Sequence, residues 1–144
     1  MNHPLFHSAR PVVVGEASGL ALVLGARLSF AGGVSLDTGL IVDHRHPRAG
    51  ASVTGSILVM PSGRGSSTSS NILGELLRLG LGPAGIIMLE VDQIVIMGVL
   101  LARTLYGTVC PVLVANQPAF DAIPDGAPVR VHANGRFEVG AHRG

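Results

Sequence analysis

An α/β domain with β-rich ends is predicted by three features of this chain. An apolar run over residues 53–60 is followed by a glycine- and serine-rich turn and then by leucines at helical spacing in Asn71-Ile72-Leu73-Gly74-Glu75-Leu76-Leu77-Arg78-Leu79, which reads as strand, turn and helix. A second apolar stretch, residues 84–89, follows and reads as the next strand. Near the end, Val129-Arg130-Val131-His132 and Phe137-Glu138-Val139 flank Asn134-Gly135, the signature of a hairpin with a type I′ turn.

The other elements follow in chain order. Residues 1–10 read as a ragged terminus. Val12-Val13-Val14 and residues 20–24 read as two short strands around the turn Gly15-Glu16-Ala17-Ser18-Gly19. Residues 29–37 are polar and contain glycine, and Leu40-Ile41-Val42 reads as a short strand running into the polar loop Asp43-His44-Arg45-His46-Pro47-Arg48-Ala49-Gly50. Past the central helix, residues 93–97 read as a further strand, residues 99–106 as a helix and residues 111–115 as a strand. No internal repeat or long linker interrupts the pattern, and 144 residues suit one domain spanning 1–144.

Composition narrows the function classes. All ten basic residues are arginine, so Schiff-base chemistry is excluded. The arginines are scattered and the net charge is +1, which leaves no electrostatic footprint for nucleic acid or an anionic membrane. Cys110 stands alone, so neither an intrachain disulfide nor an all-cysteine metal site is expected, and a reduced, cytoplasmic compartment is the simplest reading. Met1-Asn2-His3-Pro4 does not begin a signal peptide pattern, and no apolar run is long enough to span a bilayer. With 47% hydrophobic and 13% charged residues, the chain is expected to bury a face against a partner.

Chemistry concentrates in Pro61-Ser62-Gly63-Arg64-Gly65-Ser66-Ser67-Thr68-Ser69-Ser70, where six hydroxyls, an arginine and two glycines precede a helix. A strand-to-helix turn aims free amide N–H groups and the positive end of the helix dipole at one spot, which suits a phosphate, a carboxylate or a developing oxyanion. The stretch is neither a P-loop, which needs lysine, nor a Gly-x-Ser-x-Gly elbow. Plain helix capping by a serine or threonine is the competing explanation. Asp43, His44 and His46 form the second polar concentration, read as a solvated loop or the rim of an active site, since a metal centre needs more ligands. Cys110 reads as a small core residue and Asp92 as a cap for the segment after it.

Taken together, Thr38-Gly39-Leu40-Ile41-Val42-Asp43, His46-Pro47, Gly50, Gly55, the block from Pro61 to Ser67, Gly98 and Cys110-Pro111-Val112 resemble the small subunit, or swivel domain, of the aconitase X family. The resemblance covers a core of about residues 12–131, and its most specific part is Gly63-Arg64-Gly65-Ser66-Ser67. It implies the swivelling β/β/α domain of the aconitase superfamily. It also implies a hydro-lyase in which this part closes over a large aconitase X subunit carrying iron or an iron–sulfur cluster, with no metal held by this chain. On the matching positions, the resemblance implies Ser66 as the proton-abstracting base, with Arg64, Gly65 and Ser67 at the substrate. Thr68 departs from the better-known aconitase pattern, which has arginine after the two serines. The implied substrates are cis-3-hydroxy-L-proline, dehydrated to a pyrroline-2-carboxylate, and 5-phosphomevalonate. Absence of lysine with abundant arginine, glycine and alanine leans towards a GC-rich bacterial genome and the hydroxyproline reaction. A non-catalytic module holding a phosphorylated metabolite is the reading from a different class.

Overall fold

The computed structural model describes residues 5–140. The expected α/β architecture is present, with eight strands in one sheet and three helices among the described residues. The strands are β1 (Leu5–Ser8), β2 (Arg10–Val13), β3 (Ala17–Val23), β4 (Ile57–Met60), β5 (Gly85–Met88), β6 (Val112–Val114), β7 (Pro128–Val131) and β8 (Arg136–Val139). The helices are α1 (Ser67–Arg78), α2 (Gln93–Tyr106) and α3 (Gln117–Asp121). Sheet order is β1-β8-β7-β3-β4-β5-β6-β2. The central strands β3 to β6 run parallel and the outer pairs antiparallel.

β4, α1, β5, α2 and β6 form two consecutive strand–helix–strand units. Both long helices lie on one face, where Leu73, Leu76, Val95 and Val99 join Leu58, Met60, Ile86 and Met88 in one core. A second core on the opposite face gathers Ile57, Val59, Ile87 and Leu113 with Ala119, Ile123, Val129 and Phe137. Because both faces are covered, β4 and β5 are buried at every position and read as unbroken apolar runs. The edge strands β1 and β2 are joined by Ala9 alone. One residue cannot span an open eight-stranded sheet, so the sheet curls until its edges nearly meet.

Several expectations are corrected here. Residues 1–4 of the expected ragged terminus lie outside the described residues, but Leu5 to Val13 form two strands, β1 against β8 and β2 against β6. The strands read at 12–14 and 20–24 therefore do not pair with each other, since β3 pairs with β4 and β7. Strand structure in the 53–60 run is confined to β4, because the Gly55 N–H goes to the Gly82 carbonyl and the Ser56 N–H to Val53. Leu40 and Ile41 make only isolated bridges. Residues 93–97 are helical despite their β-branched side chains: Asp92 accepts the N–H groups of Ile94 at 2.9 Å and Val95 at 3.1 Å, and Val95 packs into the core. A satisfied cap and a buried face outweigh a weak local propensity. The terminal hairpin exists, but its turn is not type I′. Among the described residues no non-glycine residue, Asn134 included, has positive φ, and within this turn only Gly135 does, at 88°. With the Gly135 N–H on the His132 carbonyl and the His132 N–H on Arg136, the loop is a type I turn closed by a glycine bulge.

Cys110 sits in the core as expected, and burial pushes its thiol up to about 12 from an ordinary 9.0. Iodoacetamide labelling at pH 8 is therefore expected to be slower in the native protein than in denaturant by about three powers of ten, from thiolate population alone. Equal rates would contradict the burial. Because the folded value lies above the unfolded one, this group's contribution to stability is intact below pH 9.0 and is lost as pH rises towards 12.

Candidate active site

The serine-rich turn belongs largely to α1, which starts at Ser67, upstream of the expected boundary. Ser66 is its N-cap, with extended backbone, and makes no side-chain cap bond. The six hydroxyls separate into two groups. Ser62, Ser69 and Ser70 are buried and bonded: Ser62 Oγ donates to the Gly63 carbonyl at 3.0 Å and Ser70 Oγ to the Ile94 carbonyl at 2.7 Å, while Ser69 Oγ accepts the Ala31 N–H at 3.2 Å. Ser66, Ser67 and Thr68 are exposed, and their hydroxyls have no hydrogen-bond partner among the described residues. By helix geometry the amides of Ser67 and Thr68 also lack an intrahelical acceptor. A capping serine ordinarily gives its hydroxyl to the second or third amide of the helix. Ser66 does not, so plain capping does not account for its side chain.

Buried bonding holds this free end in place. Ser69 Oγ lies 3.2 Å from Ser29 Oγ, tying the first turn of α1 to the segment after β3. The Arg64 N–H donates to the Leu28 carbonyl at 3.0 Å, and Leu28 bridges Gly63. Gly65 passes over this cluster with φ of 128°, and a Cβ there would collide with Ser69 Oγ and come within 3.0 Å of Ser29 Oγ. Only glycine fits this backbone and this gap.

Asp43, His46, Arg64 and Gly65, distant in sequence, line one cleft of about 540 Å³ together with Arg27, Ser29 and Arg45. Ser66 and Ser67 follow Gly65 at its margin and are not part of its wall. Three guanidinium groups and one carboxylate make the cleft electropositive. Arg64 has no carboxylate partner among the described residues. Arg27 reaches Glu90 only at 4.0 Å, both side chains being more than half exposed, a pair of little energetic weight. Asp43 is already engaged: the Arg45 backbone N–H, at 3.0 Å, and then the Arg45 guanidinium hold its carboxyl below the ordinary value. His46 is buried behind the rim. His44 is exposed and belongs to a shallow apolar hollow beside the cleft.

Among the described residues no group of three or more His, Cys, Asp or Glu side chains gathers to hold a metal ion. The donor set of this chain therefore does not fit an iron–sulfur cluster, which needs several thiolates where this chain offers one buried in the core. No described helix is long and apolar enough to cross a membrane.

Arg27, Ser29, Arg45 and Ser69 had no place in the sequence-level site. Ser29 and Arg27 lie 35 or more residues before Ser66 with no local motif, and only the crossing of the post-β3 segment over α1 brings them close. Ser69 was visible as one of six hydroxyls, but nothing local marked it as the buried one.

The chain matches the Aconitase X swivel domain family over residues 6–139. Cis-3-hydroxy-L-proline dehydratase of Pseudomonas aeruginosa is 36% identical over 139 residues, 96% of this chain but 24% of that protein. The phosphomevalonate dehydratase small subunit of Methanopyrus kandleri is 45% identical over 121 residues, 82% of this chain and 84% of that one. This chain thus spans about a quarter of the Pseudomonas protein and most of the Methanopyrus subunit. The crystal structure of Thermococcus kodakaraensis aconitase X in its holo form superposes with a TM-score of 0.82 at 31% identity, covering 94% of this chain and 98% of that one. With the expected swivel fold, the Gly-Arg-Gly-Ser-Ser turn at a helix start and a family match over nearly its whole length, this chain belongs to the aconitase X swivel domain family.

Proposed function

We propose that this chain is the small subunit of a metal-dependent hydro-lyase, completed by a large aconitase X subunit, in which Ser66 removes the carbon-bound proton of a β-hydroxy acid. The observation that carries this reading is the uncapped Ser66 hydroxyl at the N-terminus of α1, beside an Arg64 without a carboxylate partner. Dehydration of such an acid requires a base for a weakly acidic proton and help for the departing hydroxide. A neutral serine is a poor base, so its alkoxide must be stabilised. The dipole of α1, the free amides of Ser67 and Thr68 and the Arg64 guanidinium all favour negative charge at that point. Gly65 lets the substrate approach the backbone, and closure of the two subunits would exclude water. Arg64 and Ser67 are assigned to the substrate carboxylate, and Asp43 and His46 to the rim. The iron or iron–sulfur group is assigned to the large partner. The exposed apolar residues Met97, Leu100 and Leu105 on the outer side of α2 agree with a chain that works against a partner surface.

The preferred substrate is cis-3-hydroxy-L-proline, on the Pseudomonas relative and on a lysine-free composition. A second reading, 5-phosphomevalonate, draws on the length-matched Methanopyrus subunit and on the excess of arginine in the cleft, which suits a substrate with two anionic groups. Co-expression with a large aconitase X subunit and assay of the iron-loaded complex on both compounds is the test. Turnover of cis-3-hydroxy-L-proline is expected. Turnover of 5-phosphomevalonate alone would replace the substrate, and failure of the two chains to assemble would favour an independent anion-binding module.

A further inference from the structure

The loop over residues 43–50 contains a buried polar atom that the reading above does not use. His46 is only 8% exposed and lines the cleft. Its Nδ1 accepts the Arg48 backbone N–H at 3.0 Å, while its Nε2 is buried with no hydrogen-bond partner. An imidazole that accepts an amide at Nδ1 carries its proton on Nε2 while neutral. The Arg48 amide is itself held firmly, because the Arg48 guanidinium donates to the Val23 carbonyl at 2.9 Å and pairs with Asp125 at 2.9 Å. The end of β3 thereby sets the loop, the ring and the tautomer, and leaves one buried N–H donor unsatisfied in a residue that lines an electropositive cleft. A buried donor without an acceptor costs free energy until an acceptor arrives.

We propose that His46 is a substrate-binding residue whose Nε2–H donates, from the neutral ring, to an anionic oxygen of the substrate, with Arg48 as the positioning residue that fixes the tautomer. The inference rests on the cleft being the substrate site, as proposed above. Neutral donation is required by the geometry, since a proton on Nδ1 would break the bond from Arg48. Nε2 is covered, so donation requires a small opening of the cleft wall at His46 when substrate binds, with the bond from the Arg48 N–H to Nδ1 kept.

Two variants separate donation from mere loop structure, because glutamine can supply an N–H near the Nε2 position while asparagine can supply an acceptor near Nδ1. In the assembled complex acting on cis-3-hydroxy-L-proline, or on 5-phosphomevalonate if that is the compound turned over, His46→Gln is expected to keep kcat/KM within about fivefold. His46→Asn is expected to lose about 10- to 100-fold, mostly through KM. The reverse order, or equal activities, overturns the proposal. A long-range 1H–15N spectrum of the histidine-labelled wild-type chain, which does not depend on variants folding, is expected to give the Nε2–H tautomer for His46, and the Nδ1–H tautomer would overturn it. Ser66→Ala is assayed alongside. If it retains turnover, the reading of the cleft falls and takes this inference with it; if it loses turnover while the His46 variants break the expected order, only the role of His46 falls.

Discussion

Ser66→Ala is expected to lower kcat of the assembled complex by about 10²- to 10⁴-fold, the usual contribution of a positioned base, while KM changes by no more than a few fold. The structure adds a control that a generic N-cap serine would not offer. Replacing a bonded capping serine by alanine typically costs about 1 kcal/mol. Ser66 makes no cap bond, so the same substitution should leave thermal stability and assembly nearly unchanged. Steady-state kinetics and a melting curve on the same preparation therefore distinguish the two roles. Turnover within a few fold of wild type would remove Ser66 from the mechanism, and a loss of stability with turnover intact would return it to plain capping.

Gly98→Val is expected to destabilise the chain by about 2–3 kcal/mol, near the upper end of the cost of overpacking a close contact, and to lower Tm by roughly 6–10 °C in a melting experiment. Gly98 lies where α2 crosses α1. A Cβ there would stand 2.8 Å from the Ser70 carbonyl oxygen and 3.1 Å from Leu73 Cβ. The first is backbone of α1 and cannot turn aside as a flexible side-chain end would. A Cβ on Gly74, across the same contact, would stand 3.3 Å from Leu101 Cδ2 and 3.4 Å from the Gly98 carbonyl oxygen, so neither helix has room to retreat. The crossing also positions the site, since Ser70 Oγ bonds Ile94 at the start of α2 and Ser69, its neighbour, holds the loop under Gly65. A valine at 98 should therefore reduce turnover along with stability. Unchanged Tm would mean that the helices are not packed as closely as described.

The parts of the fold legible in the sequence are those whose signal is local. β5, β6 and the hairpin strands declare themselves by apolar runs bounded by turns, and Asp92, read as a cap for the segment after it, does cap α2. The start of α2 was misread because Ile94, Val95 and Ile96 resemble a strand until their cap and the packing of Val95 are considered. α3 carries no such periodic signal in its five residues, and its start rests on Asn116 accepting the Ala119 N–H at 3.0 Å. The turn before α1 stands out as the candidate site because glycine, arginine and serine cluster there with no packing reason apparent in the chain.

Residue types and their short-range order were enough to establish an α/β chain, a strand-to-helix turn rich in glycine, arginine and serine, the family resemblance, and the lack of enough sulfur ligands for an iron–sulfur cluster, because each depends on composition or on neighbours within a few residues. Three-dimensional packing alone decided which hydroxyls are structural and which are free. It also decided that Arg27 and Asp43 share a cleft with Gly65, that His46 Nδ1 accepts the Arg48 N–H, and that the sheet curls until its edge strands β1 and β2 nearly meet. The physical reason is the same in each case: a hydrogen bond between Ser29 and Ser69, or between Arg48 and the Val23 carbonyl, joins residues far apart in the chain, and only folding brings them within reach.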